Sequence, residues 1–436
     1  MNVLIVGGGG REHAIAENVR RSRHRPHVVC APGNAGTAAF AENVSIASER
    51  VDELLALAKE KSIDLTIVGP EAPLCAGIVD RFQSAGLRIF GPTAEAARIE
   101  GDKAHAKRLL AEACIPTARG RSFRRFSDAR TYIATRDTPQ VVKAAGLASG
   151  KGVVVCEDPS DALLEAERMM VDRKFGEAGL TIVVEEKLIG QELSVHAIVD
   201  GRNIHILATS QDHKAVGDGD TGPNTGGMGA YSPAPVATPD VVRAVESQII
   251  VPIIDTLRRR GVRYQGVLYC GLMVTAGGPK VLEFNCRFGD PETQVIFARL
   301  KSDFVDVANA CIDGKLDEVS LDWDPRPAVC VVMASQGYPG DYETGKPISG
   351  LEAAGAMREV TVYHAGTAIV DGQVVTQGGR VLGCTALGDR IRSARDRAYE
   401  AAASIHFEGA HMRSDIAYRA LTDAVDRPWA PAAGSV

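Results

Sequence analysis

No run of about 18 apolar residues occurs anywhere in the 436-residue chain, so the sequence offers no membrane-spanning helix. The apolar stretch Val3–Val6 is too short for a signal-peptide core and has no basic flank before it. Charge of one sign is also missing: the formal net charge is −6, with lysine and arginine scattered rather than in runs. That pattern argues against a nucleic acid or an anionic membrane as partner. Cysteines are few, and Cys30, Cys75, Cys114, Cys156, Cys270, Cys286, Cys311, Cys330 and Cys384 include no C-x-x-C pair. Their odd number, wide spacing and apolar surroundings point to buried free thiols in a reducing cytosol. Aromatics make up 5% of an otherwise ordinary globular composition, and no internal repeat is visible. Two to four domains are expected of a chain too long for one ordinary core, and a soluble, cytoplasmic protein is the expectation from these absences.

What is present is a strand–helix alternation over the first hundred residues. Val3–Val6, Val28–Cys30, Leu65–Val68 and Arg88–Phe90 read as buried strands, with Val51, Leu54, Leu55 and Ala58 as the stripe of an intervening helix. Such a βαβ series predicts a Rossmann-like parallel sheet over residues 1–101. A helical connector at 102–114 leads to a small unit (122–189). It has strands Val141–Lys143, Val153–Cys156 and Ile182–Glu186, and helices Ser127–Thr135 and Ser160–Val171 capped by their serines. Residues 102–121 and 190–326 read as a larger α+β unit. Its strands are Leu193–Val199, His205–Ser210, Gly266–Thr275 and Lys280–Asn285, with a helix at 238–260, a glycine-rich loop at 217–230, and helices from Pro291 and Ser302. Pro325-Arg326-Pro327 marks a boundary before a small α+β domain (327–424) with strands Ala328–Ala334, Val360–Tyr363, Gln373–Thr376 and Val381–Ala386 and a helix at 389–403. Residues 425–436 read as a frayed tail.

The most informative segment is 280–294. Val281-Leu282-Glu283-Phe284-Asn285 alternates with period two, so Glu283 and Asn285 share a face at a strand end. Two oxygen donors there suit Mg²⁺, and Arg287 adds a planar donor for carboxylate or phosphate. Asp290-Pro291-Glu292 reads as an N-cap, a first-turn proline and an acid beside the helix dipole. The competing reading is a solvated strand edge with an ordinary cap.

Gly7-Gly8-Gly9-Gly10-Arg11-Glu12-His13 follows the first strand and opens a helix, a setting for a phosphate. A dinucleotide fingerprint fails there, because Glu12 or His13 occupies the third glycine position and no ribose-binding acid ends the second strand. The loops Pro32–Thr37 and Gly69–Leu74 also follow strands, so all three lie at one sheet edge, with Glu71 a candidate partner for ribose hydroxyls. Lys143–Gly152 resembles a Walker A loop only superficially: three residues separate Gly146 from Gly150, Gly152 replaces the Ser/Thr, and a strand follows. It reads as a hairpin over a nucleotide, with Lys143 and Lys151 aimed at phosphates. Glu185 and Glu192 flank a strand edge that can meet an adenine and a ribose. In Ser210–Gly229, Asp212, His213, Lys214, Asn224 and Thr225 offer contacts within a loop read as closing over substrate. A plain turn, solvent hairpin or linker is the alternative in each case.

In this order, GGREH, PGNAGT, VGPEAPL, ASGKGV, SQDHK, DTGPNTGGMGAYSP and EFNCRFGDPETQ resemble the phosphoribosylamine–glycine ligase family of ATP-grasp enzymes, over Met1 to about residue 420. The resemblance implies a two-part ATP-grasp fold between the N-terminal sheet and the C-terminal domain. It implies ATP with Mg²⁺ or Mn²⁺, and glycine and phosphoribosylamine as substrates joined through glycyl phosphate. Lys103, Lys143, Gly146, Ser149, Gly150, Lys151, Gly152, Glu185, Leu188 and Glu192 would surround ATP, with Glu283 and Asn285 on the metal. Gly10, Asn34, Gly36, Pro70 and Glu71 would lie on the phosphoribosylamine side. Asp212, Lys214, Arg287, Gly289 and Asp290 would surround glycine and the acyl phosphate. A monomer or weak homodimer is the expected state. Departures from the family pattern are Ala145 before the loop glycine, His105 near Lys103, Lys187 beside the adenine contact, and no acid on Leu268–Val274 to face Glu283.

Overall fold

The computed structural model describes residues 1–148 and 150–421; Ser149 and the tail expected to fray lie outside the described residues. Five strands, β1 (Asn2–Gly7), β2 (His27–Pro32), β3 (Glu42–Asn43), β4 (Leu65–Val68) and β5 (Ile89–Phe90), form a wholly parallel sheet in the order β3-β2-β1-β4-β5. Their Val/Ile/Leu runs are buried on both faces, as parallel strands covered by helices must be. The order reverses at β1, so the loops after β1, β2 and β4 flank a switch point where open α/β sheets bind ligands.

The chain then crosses through helices Ala94–Gly101 and Lys103–Glu112 into a small antiparallel sheet. Its strands β6 (Gly120–Phe123), β7 (Gln140–Ala144), β8 (Val153–Cys156) and β9 (Ile182–Glu186) run in the order β6-β9-β7-β8. Helices Phe126–Ala134 and Pro159–Met170 cover it through Ala129, Ile133, Ala162, Ala166 and Met169. The expected serine caps are not the caps. Asp158 accepts from Ser160 N (2.8 Å) and Asp161 N (3.0 Å), because Pro159 takes the first helical position and puts the cap one residue earlier. The other helix follows Arg125 with no side-chain cap, and Ser127 sits inside its first turn.

The next layer holds β10 (Gln191–Val199) and β11 (Ile204–Ile206). β12 (Gln211–Asp212), a hairpin of β13 (Ala215–Gly217) and β14 (Thr221–Asn224), and β15 (Gly229–Ser232) follow. β16 (Gly266–Thr275) returns to pair with β10 and β17 (Gly278–Asn285) pairs with β16, giving the antiparallel order β11-β10-β16-β17. The helix expected at 238–260 is three pieces, Pro239–Val245, a widened turn Glu246–Ile250, and Val251–Arg259, in a run where Pro252 lacks an N–H for the ladder. The helix expected from Ser302 begins at Phe304 behind Asp303, whose carboxylate accepts from Val305 N at 3.0 Å.

β12 and β15 join the C-terminal strands β18 (Ala328–Ser335), β19 (Val360–His364) and β22 (Arg380–Leu387) in the order β12-β15-β18-β22-β19. β20 (Thr367–Val370) and β21 (Gln373–Thr376) form a separate hairpin, and β23 (Ala410–His411) pairs with β18. Sheet pairing therefore runs across the Pro325–Pro327 segment. The 217–230 segment is not a free loop either. Asp218 accepts from Ser414 N (2.8 Å), Asp415 from Gly219 N (2.9 Å), and Asp220 from Arg413 Nη1 (3.0 Å) and Tyr418 Oη (2.7 Å). These bonds pin the hairpin tip to the C-terminal segment.

Candidate active site

A cavity of about 460 Å³ opens where the four layers meet, at the carboxyl ends of β1 and β4 and the end of β17. Opposite β16, the expected alternation of β17 is broken by a bulge: Glu283 faces Gly271 but Val281 faces Leu272, leaving Leu282 unpaired. Val281 and Phe284 thereby both reach the core, while Glu283 and Asn285 still share the cavity face. Gly271 at the facing position confirms that β16 brings no acid there; a Cβ on it would sit 3.0 Å from Glu283 Cγ.

Arg287 bridges two layers. Its Nη2 lies 2.9 Å from Glu100 Oε1 and its Nε 3.2 Å from Glu71 Oε2. Burial raises the Glu100 carboxyl, opposed by Arg287; burial would raise Glu71 too, yet Arg287 and Arg11 hold it at about 2. The second oxygen of Glu100 accepts from Cys286 N (2.7 Å), which fixes the turn out of β17. Asp290 is not the N-cap expected of it. The helix Glu292–Arg299 starts behind Pro291 without a side-chain cap, and Asp290 instead accepts from Gln294 Nε2 (2.8 Å) and faces Arg380 Nη2 (3.3 Å). Gly289 N donates to His196 Nε2 (3.1 Å); burial, then Arg287, pushes that imidazole down to about 3, so it stays a neutral acceptor.

Lys214 lies 3.2 Å from Glu192 and 3.8 Å from Glu283, and these acids overcome burial to raise its ammonium. Asp212 is buried with Oδ1 unpartnered; burial, then Glu292, raises its carboxyl well above the usual range. His213, expected alongside, turns away: Ala417 N donates to its Nε2 (2.9 Å) and it packs on Tyr231 and Tyr418.

The far end of the cavity is cationic. Glu185 sits between Lys143 Nζ (2.7 Å) and Lys107 Nζ (2.6 Å); burial would raise its carboxyl, but these lysines hold it low. Lys143 also donates to Leu282 O (3.0 Å), tying β7 to the bulge of β17. Burial lowers the Lys103 ammonium, which lies 3.4 Å from Gly146 O. Gly150, with φ +76°, and Gly152 complete this wall. Ala145 sits in the core beside Ala104 and Val183, its carbonyl accepting from Lys103 N (2.8 Å). Lys187 turns outward to Glu157, and His105 is buried with its backbone N donating to the Asp102 cap.

Pro70, Glu71, Lys103, Lys143, Gly150, Gly152, Glu185, Asp212, Lys214, Glu283, Asn285, Arg287, Gly289 and Asp290 thus line one cavity. Gly10, Asn34, Gly36, Gly146, Lys151, Leu188 and Glu192 do not. Gly10 packs against Gln294 and Asp290, where a Cβ would clash, and Gly36 against His13 and His364. Asn34 shapes its own loop, accepting from Gly36 N (2.9 Å) and Thr37 N (3.0 Å) and donating to Gly8 O (3.0 Å) and His364 O (2.8 Å). Lys151 is exposed and Leu188 half-buried.

Sequence reasoning missed Glu100, Lys107, Glu292 and Arg380 as cavity residues and gave Arg11 no role of its own. Lys107 had a signal, since it lies four residues after Lys103 on one helix face. Glu292 was read only as a dipole partner, yet its Oε1 accepts from Ser194 Oγ at 3.0 Å.

A lysine-lined glycine hairpin thus faces an acid–amide strand end across one cavity, and the match of residues 101–293 to an ATP-grasp domain puts the chain in the ATP-grasp class of ligases. Consecutive segments match the family described as phosphoribosylglycinamide synthetase: its N domain over residues 1–100, its ATP-grasp (A) domain over 101–293 and its C domain over 328–419. The chain is similar to phosphoribosylamine–glycine ligase of Rhodopirellula baltica, 53% identical over 430 residues, covering 97% of this chain and 98% of that one. The Pseudomonas aeruginosa ligase is 51% identical over 424 residues, covering 97% and 98%. The crystal structure of phosphoribosylamine–glycine ligase from Thermotoga maritima superposes with a TM-score of 0.83 at 35% identity, over 96% of this chain and 100% of that one. The chain belongs to the phosphoribosylamine–glycine ligase family. A biotin carboxylase domain from Hydrogenobacter thermophilus, 14% identical with a TM-score of 0.72 over 94% of this chain and 91% of that one, shares the fold.

Proposed function

We propose that the chain joins glycine to 5-phospho-D-ribosylamine at the expense of ATP, giving glycinamide ribonucleotide, ADP and phosphate. The observation that carries this reading is the single cavity in which a three-lysine end meets Glu283, Asn285 and Arg287. A carboxylate is a poor electrophile, so ATP first phosphorylates glycine; the amine then attacks the acyl carbon and phosphate leaves. Phosphoryl transfer needs alignment and charge neutralisation, which Lys103, Lys143 and the 146–152 hairpin supply at the nucleotide end, with Glu185, Leu188 and Glu192 toward the nucleoside. Glu283 and Asn285 are the donors for Mg²⁺ or Mn²⁺. Among the described residues neither side chain has a hydrogen-bond partner, and Lys103, Lys143, Lys214 and Arg287 outweigh burial to keep Glu283 ionised. The metal, when bound, screens the phosphate charge.

Arg287, Lys214, Asp212, Asp290 and Gly289 surround glycine and its acyl phosphate, while Pro70 and Glu71, backed by the loops of Gly10, Asn34 and Gly36, form the phosphoribosylamine side. On this reading residues 1–101 serve the amine substrate, 122–189 cover ATP, 102–121 with 190–326 carry the metal edge, and 327–424 brace the acceptor end. The enzyme works in the cytoplasm as a monomer or weak homodimer. The test is ADP release with ATP and Mg²⁺, glycine and phosphoribosylamine being supplied singly and together. Release that requires both supports the reading; release driven by bicarbonate, or none under either supply, overturns it.

A further inference from the structure

We infer that Arg380 is a positioning residue of the catalytic cavity, by which the C-terminal sheet fixes the Asp290 carboxylate and the Gly226 peptide at the acceptor end. The inference rests on the functional reading above and goes beyond it, since Arg380 belongs to none of the motifs that carry the resemblance. Arg380 opens β22, and no other residue from 328 onward lines the cavity among the described residues. Its Nη1 donates to Gly226 O (2.7 Å) and Asp290 O (2.6 Å), and its Nη2 faces Asp290 Oδ2 (3.3 Å). One planar fork thus joins the turn after β14 to the turn after β17, a task for which a single ammonium has the wrong shape.

The surroundings are built for it. A Cβ on Gly226 would lie 2.9 Å from Arg380 Cζ, so only glycine admits the fork there. Gly366 and Gly378 touch backbone to backbone, and Gly366 N donates to Arg380 O (2.9 Å), which sets the start of β22. Arg380 faces Asp290, Asp212, Glu292 and Tyr338; Asp290 faces Arg380 and Arg11, with Gln294 as its neutral donor. Burial pushes the Asp290 carboxyl up, and Arg380 is the largest force holding it down. Without Arg380, the cation left facing Asp290 among the described residues is Arg11, already paired with Glu12 at 2.6 Å.

The test compares wild type, Arg380→Met and Arg380→Lys in full-length enzyme, by steady-state ADP release across pH. For Arg380→Met, turnover should fall about a hundredfold, ATP KM should stay within about twofold, and the acid limb should move up by about one pH unit. Arg380→Lys should keep the wild-type acid limb, because the charge remains, while turnover still falls about tenfold for want of the fork. A purely structural role would lower thermal stability and active fraction without moving the acid limb. A Met variant with the wild-type acid limb, or a Lys variant with wild-type turnover, overturns the inference; the Lys variant decides alone should the Met variant fail to fold. Wild type that releases no ADP with glycine and phosphoribosylamine together overturns the functional reading and this inference with it.

Discussion

Replacing Arg287 by methionine removes one cation from between two acids, and the structure sets how much that can cost. Glu100 is the more buried partner, its side chain 7% exposed against 26% for Glu71, and it lies 2.9 Å from the lost guanidinium. Breaking a buried pair from one side costs about 3–5 kcal/mol. Glu100 has an escape, however: it can take a proton. Protonating a carboxyl with an ordinary pKa of 4.5 at pH 7.5 costs about 4 kcal/mol, which caps its share of the loss; at pH 5.5 the cap falls to about 1.4 kcal/mol. Glu71 contributes less, because solvent reaches it and Arg11 stays near. The sign follows from linkage. In the variant, Glu100 binds its proton more tightly folded than unfolded, so the deficit is absent below pH 4.5 and grows as pH rises. Urea unfolding of wild type and Arg287→Met at pH 5.5 and 7.5 should show a deficit of about 3–4 kcal/mol at the higher pH shrinking to about 1–2 at the lower. Adding Glu100→Gln should restore most of the stability at pH 7.5 and none of the turnover, since on the proposed function Arg287 also serves the reacting groups. A deficit below about 1 kcal/mol, or one that stays flat between the two pH values, refutes the reasoning.

Glu283→Ala should lower turnover at least about a hundredfold, some 2.7 kcal/mol, and weaken Mn²⁺ binding measured by spin-resonance titration; near-normal rates would contradict the metal assignment. Lys107→Met leaves Glu185 with Lys143 as its remaining partner, so ATP KM should rise about tenfold with glycine KM unchanged, and an unaltered ATP KM would remove Lys107 from the nucleotide end. Glu71, held at about 2 against an ordinary 4.5, stabilises the fold above pH 4.5 and loses that contribution as pH falls toward 2. Urea titrations of wild type and Glu71→Gln between pH 6 and pH 3 should therefore converge on acidification, and parallel curves would count against the Arg287–Glu71 pair.

The N-terminal sheet was legible because its signal is local: apolar runs followed by glycine loops place strands and their carboxyl ends without reference to the rest of the chain. β17 was nearly so. Periodicity placed Glu283 and Asn285 together correctly, but it missed the bulge at Leu282, which depends on the register with β16 and leaves no mark in the sequence. Caps failed where two candidates stood side by side. Asp158 and Ser160 both suit an N-cap, and proline between them decides; Asp290 looked like a cap until Arg380 and Gln294 claimed its oxygens. Glycine density in 217–229 suggested a moving flap, yet Asp218 and Asp220 pin that hairpin through Arg413, Tyr418 and Ser414, all far along the chain.

The missed site residues share one physical cause. Glu100, Lys107 and Arg380 lie in unremarkable helix or strand patterns, and each gains its role from a charge brought near by tertiary packing: Arg287, Glu185 and Asp290. Motif reading finds groups whose chemistry is announced by their neighbours in sequence, such as glycines beside a lysine or an acid two residues from an amide. A buried ion pair is announced only by its partner, and burial is what gives it weight, because desolvation makes the unpaired state costly. The groups that hold a reactive side chain in place are therefore systematically harder to read than the reactive side chain itself. Arg287 is the case in point: it follows directly on the strand end that carries Glu283 and Asn285, while Glu100, its 2.9 Å partner, is one more acid in a helix pattern. The same asymmetry predicts where mutation will mislead. Loss of Glu100 should behave in a turnover assay as a defect of Arg287, and only the pH dependence of stability will trace the fault to the buried carboxylate.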